Sequence, residues 1–151
     1  MDDVLLLRSA LCGYLLAAFD GRRQRVAGWL LGGALALHTM ALAQRWAAHG
    51  HGPFTTLHEI LSSSLWSLAL IYALCAWRWR ELRAAWLAVA PVLALLGLWS
   101  LLADPGRGHL PPTYATSLLY LHALAGKLYL GLLLVACGVA SLPWLRRWQR
   151  G

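Results

Sequence analysis

The stretch 26-VAGWLLGGALALHTMALAQRWAAHGHGPFTTLHEILSSSLWSLALIYALCAW-77 decides the fold: two long apolar runs are parted by a short polar break carrying His49, His51, His58 and Glu59. A helix that crosses a bilayer needs ~20 mostly apolar residues, and each run is long enough. Outward from this pair, further apolar runs give five candidate spans, at about 4–19, 26–46, 58–77, 84–103 and 116–145. The first is short for a crossing and the last is long, so the last is expected to tilt or to extend past the membrane surface. The whole chain of 151 residues is 60% apolar with positive mean hydropathy, which places it in a bilayer rather than among soluble domains with a buried core. The expected fold is therefore an all-α integral membrane protein, residues 1–151 forming a single bundle of five transmembrane helices. No repeat, low-complexity tract or long linker divides it.

Arginine placement sets the expected orientation, because Lys and Arg are retained on the cytoplasmic side. Arg22, Arg23 and Arg25 follow the first span, Arg78, Arg80 and Arg83 follow the third, and Arg146, Arg147 and Arg150 follow the fifth. The opposite ends carry Asp2, Asp3, the 49–56 loop and 104-DPGRGHLPPTY-114, with a single arginine. Every connection agrees with the N-terminus outside and the C-terminus cytoplasmic. The net charge of +7 is thus a topology signal. Split among short loops, it forms no basic face of the kind nucleic acid requires.

Cys12, Cys75 and Cys137 all lie within apolar runs and form no CxxC or CxxCH spacing, which argues against covalent c-type haem and against an obvious disulfide. The first span lacks an AxA-like cleavage site and has acids before it and arginines after it, the reverse of a signal peptide, so it reads as a retained helix. Gly28, Gly32, Gly33, Gly126 and Gly131 are placed to let helices approach closely. Trp46, Trp77, Trp79, Trp86, Trp144 and Trp148 lie near span ends as an interfacial belt, and Pro91 is expected to kink the fourth span.

Polar residues inside the spans need a reason. At 1.5 Å of rise per residue, His38 lies roughly 12 Å below the outer end of the second span and His122 roughly 9 Å below that of the fifth. Two imidazoles at similar depth on different helices can hold the iron of a b-type haem; equally, each can make a structural hydrogen bond to a neighbouring helix. His49, His51, His58 and His109 gather at the same outer end. A free copper or zinc site there has poor spacing, since no Cys, Met pair or carboxylate cluster completes a ligand set. Glu59 and Lys127 admit three readings: an ion pair with each other, Lys127 on a haem propionate, or Lys127 snorkelling. No Ser/His/Asp arrangement, Walker loop or paired carboxylates occur, so no self-contained catalytic constellation is expected.

Residues 35–77 resemble the early part of the CcsA/ResC/HemX-like cytochrome c assembly family. Its members carry a helix ending near an RW pair, here Arg45–Trp46, then a GHFPLSNLYESL-type segment, here 50-GHGPFTTLHE-59, then a WSL-rich helix, here Trp66-Ser67-Leu68. The likeness continues through 86-WLAVAPVLALLGL-98 and 112-PTYATSLLYLHALAGKLYLGLLL-134. It implies that His122 is an axial ligand of haem presented at the outer face for attachment to apocytochrome c. It also matches His38 to a histidine of HemX-like members and gives Glu59 a loop-ordering role. The sequence departs from the family at Thr56 and His58, which replace Asn and Tyr, and at Lys127, and it carries no WGxxWxWD segment. The function so implied is haem handling in cytochrome c biogenesis, in a multi-pass protein of the bacterial inner membrane. His122, His38, His58, His51, Lys127 and Glu59 are its candidate haem-binding residues, and membrane lipid and another membrane protein or assembly component its partners. The alternative is a haem-free accessory subunit of a larger respiratory or photosynthetic membrane complex.

Overall fold

The computed structural model describes residues 3–19, 24–52, 55–106, 108 and 116–148. His109, Asp2, Arg22, Arg23 and Arg150, used above for site and orientation, lie outside them, as do the side chains of Arg146 and Trp148. The chain is all-α, with no strand among the described residues: α1 Asp3–Phe19, α2 Gln24–His49, α3 Leu57–Arg78, α4 Trp86–Leu102 and α5 Ser117–Trp148. Each helix falls on an expected span. The Arg78–Arg83 connection, read from sequence as a loop, is instead largely a 3-10 helix, Arg80–Ala85, running directly into α4.

Among the described residues, four segments are long and apolar enough to cross a membrane: Arg25–His49, Leu57–Arg78, Arg80–Leu102 and Ser117–Trp144. Helix α1 has 17 residues, about 26 Å at 1.5 Å per residue. It packs along α2 and against α4, burying Leu6, Leu7, Ala10, Leu11, Tyr14 and Ala17. Helix α3 bridges the bundle through contacts with α2, α4 and α5, and supplies Leu65, Leu68, Ala69 and Tyr72 to the same core. Helix α5 lies at the periphery against α3 and α4. Its outer side is almost wholly apolar, with Leu118 75% and Trp144 79% exposed. A surface this greasy is unfavourable in water and suits lipid or another chain.

The start of α3 is written in its sequence. Thr56 accepts from the Glu59 backbone N–H while the Glu59 carboxylate accepts from the Thr56 N–H, a reciprocal capping box that satisfies two donors without an intrahelical partner. At the other end, Tyr72 donates its hydroxyl to the Arg83 carbonyl at 3.2 Å, and Trp86 donates its indole N–H to the Ala17 carbonyl at 2.8 Å. Trp86 is therefore a buried link between α4 and α1, not a member of the interfacial belt. Trp46, Trp77, Trp79 and Trp144 are exposed and fit that belt.

The glycines divide differently from the sequence reading. A Cβ on Gly28, Gly32, Gly33 or Gly126 would meet nothing within 4 Å, so these four do not mediate helix approach here. Gly131 does: its Cβ would collide with Ile71 Cδ1 and fall 3.0 Å from Ile71 Cβ. Gly13, Gly97 and Gly138 also sit at close contacts, with Ala34, Leu11 and Ala85.

Candidate functional site

The polar residues gather at the end of the bundle where α2 finishes and α3 begins. Arg45, in the last turns of α2, donates from Nε to Glu59 Oε1 at 2.9 Å and from one terminal nitrogen to Asp3 Oδ2 at 2.9 Å. Its other terminal nitrogen donates to the carbonyls of Pro105 and Gly106, at 2.8 and 2.9 Å. One guanidinium thus ties α1, α2, α3 and the segment after α4. Glu59 divides its oxygens: Oε1 takes Arg45, and Oε2 takes the Thr55 N–H and hydroxyl at 2.9 and 2.7 Å. A desolvated charge so close to apolar surface persists because it is paired and fully hydrogen-bonded. Glu59 is therefore not the partner of Lys127, which donates from Nζ to Ser63 Oγ.

A second layer lies just below. His38 is 0% exposed, with the Tyr14 hydroxyl 3.2 Å from Nδ1 and Ser62 Oγ 2.9 Å from Nε2. A neutral imidazole accepts at one nitrogen and donates at the other, so this pair of hydroxyls satisfies it. His58 is buried and donates from Nδ1 to the Ser100 carbonyl at 2.8 Å. Because His58 and Ser62 are four residues apart, they share one face of α3, and both imidazoles belong to a layer between α1, α2, α3 and α4.

His122 stands elsewhere. It is exposed on α5 and makes no hydrogen bond among the described residues. His38 and His122 accordingly do not face one another across a shared gap: one ring is enclosed with both nitrogens engaged, the other points out of the bundle. Lys127, on the inner side of α5, is half-buried and lines a cavity of about 340 Å³ with Ser63, Trp66 and Trp46. Tyr120 stacks on Trp46 at its rim, centroids 6.3 Å apart. His51 rests its ring nitrogens against the carbonyls of Gly52 and Gly108, at 3.0 and 3.3 Å. His49 donates to the Arg45 carbonyl at 2.9 Å. Among the described residues, no group of three or more His, Cys, Asp and Glu converges as a metal site would.

Of the six residues singled out from sequence, Glu59 belongs to the Arg45 clasp at the helix end, His51 to its own contact with Gly52 and Gly108, His38 and His58 to the buried layer, Lys127 to the cavity and His122 to the outer face. Arg45 is the functional residue at this end that the sequence pattern did not single out beyond its place in the Arg45–Trp46 pair. The missed signal was the Thr56-x-x-Glu59 pattern: it fixes Glu59 at a helix start and leaves half its carboxylate for a cation from the preceding helix.

These features define a helical protein with the character of a multi-pass membrane protein, its buried polar groups concentrated at one end. No family model, curated protein or solved structure matches the chain.

Proposed function

We propose that the chain is a multi-pass membrane protein related to the cytochrome c assembly family and that it handles b-type haem, using His122 as the axial ligand. In this reading all five helices cross the bacterial inner membrane, with the N-terminus outside and the C-terminus cytoplasmic. The supporting observation is the exposed imidazole of His122, which makes no hydrogen bond among the described residues, on an otherwise apolar face of α5. An ionisable side chain facing lipid is costly and calls for a functional partner. His122 would offer its imidazole to the iron, whereas His38 has both ring nitrogens engaged by Tyr14 and Ser62. Haem would supply the redox chemistry; this chain's part is to bind and orient it. Lys127, which donates to Ser63 on the inner side of α5, faces a different side of the helix from His122.

The test is the visible spectrum, oxidised and reduced, of protein purified in mild detergent. A reduced b-type spectrum lost in His122→Ala and kept in a folded His38→Ala protein supports the reading. A pigment unaffected by His122→Ala overturns it.

The exposed apolar side of α5 also favours a second reading, a haem-free accessory subunit with that face covered by a larger membrane complex. A colourless preparation stoichiometric with another membrane protein would select it.

A further inference from the structure

We propose that the groove between α2 and α3 at the arginine-rich end of the bundle binds one anionic phospholipid, an acyl chain lying over Gly28 and Gly32 and the phosphate held between Arg25 and Arg83. This site rests on the bilayer placement proposed above and not on haem. It lies at the opposite end of the helices from His122.

The groove encloses about 500 Å³. Its α2 wall is opened by Gly28 and Gly32, where an added Cβ would touch nothing within 4 Å. Its floor is the stacked pair Tyr72 and Trp86, centroids 5.2 Å apart, both buried. Among the described residues no other helix closes this apolar trough beside α2.

Charge selects the occupant. Arg25 and Arg83 both line the groove, and among the described residues no carboxylate does. Arg25 makes no hydrogen bond or ion pair among the described residues. Arg83 donates from Nε to the Ala76 carbonyl at 3.3 Å, which holds its side chain back against α3, and its terminal nitrogens make no hydrogen bond among the described residues. Guanidinium groups bind phosphate through paired, charge-assisted hydrogen bonds, and basic residues beside a span attract anionic lipid. Trp29 and Trp77, exposed at the rims, are the residue type that settles at headgroup level. A second helix in the groove would match its shape but not its two arginines. A free phosphate would match the arginines but leave the trough unfilled.

The full chain is placed in nanodiscs of equal parts phosphatidylglycerol and phosphatidylcholine, and the lipid that remains bound is identified by native mass spectrometry. One phosphatidylglycerol per chain is expected, in preference to phosphatidylcholine. Arg25→Gln and Arg83→Gln should each reduce that preference about fivefold. Gly32→Leu, checked for intact helicity by circular dichroism, should remove the retained lipid by filling the trough. Arg8→Gln, which removes the same charge from α1 at the other end, should change nothing. Equal retention of both lipids, or an unchanged preference in the double arginine variant, overturns the proposal. So does displacement by inorganic phosphate, or a retained second protein chain in place of lipid. The haem spectrum is read on the same samples, so either reading can fail alone.

Discussion

Arg45 and Glu59, fourteen residues apart on successive helices, meet through a 2.9 Å hydrogen bond with side chains 7% and 1% exposed. The same guanidinium also holds Asp3 and two carbonyls after α4, and so joins the ends of α1, α2 and α3 to that segment. Removing one partner leaves the other charge buried and unpaired, a loss of about 3–5 kcal/mol. Arg45→Met is therefore expected to lower the thermal midpoint in detergent strongly, and Glu59→Gln to lower it as well. Arg45→Lys should not restore it, since an ammonium cannot reproduce a fork spread over three elements. A midpoint for Arg45→Met within a degree of the parent protein would contradict the clasp.

The spans were legible because hydrocarbon thickness imposes a length on apolar runs, and α2 and α3 could be placed from the 26–77 stretch alone. The pairing of polar groups was not legible to the same degree. Depth estimates along separate helices put His38 and His122 at similar levels, but depth carries no information about rotation around each helix axis. His38 turns inward between Tyr14 and Ser62, and His122 turns outward. Lys127 and Glu59 attracted each other on paper because opposite charges are scarce in the spans. The nearer cation, Arg45, was masked by its position at the end of an apolar run. Small residues misled for a related reason: a glycine marks where approach is possible, and the facing residue decides whether it happens.

Two glycines on α5 make that distinction measurable. At Gly131 an added Cβ collides with Ile71, including its Cβ at 3.0 Å, which rotation of the side chain cannot relieve. Gly131→Ala must therefore part α3 from α5, at a cost of about 1–3 kcal/mol. Gly126, one and a half turns earlier, faces open space. Gly126→Ala should be neutral or stabilise by up to about 1 kcal/mol through helix propensity. Guanidine- or heat-induced unfolding of both variants in the same detergent checks the pair; equal effects would show that α3 and α5 do not pack through Gly131.

Ser100 supplies the sharpest test of the buried layer. Its carbonyl accepts from His58, while its hydroxyl is buried without a hydrogen bond among the described residues. A polar atom in that condition costs free energy, and replacing it with a methyl group removes the cost without touching the backbone carbonyl. Ser100→Ala is expected to stabilise the protein by about 1 kcal/mol. His58→Ala deletes the donor and leaves a void beside the same carbonyl, so it should destabilise by about 1–3 kcal/mol. Since the two residues touch, their effects should not add. In the double variant the loss measured for His58→Ala should change by more than a few tenths of a kcal/mol. Strict additivity in thermal unfolding would mean that the Ser100 hydroxyl does not sense the His58 ring, and a His58→Ala protein as stable as the parent would mean that α3 and α4 are not joined through this hydrogen bond.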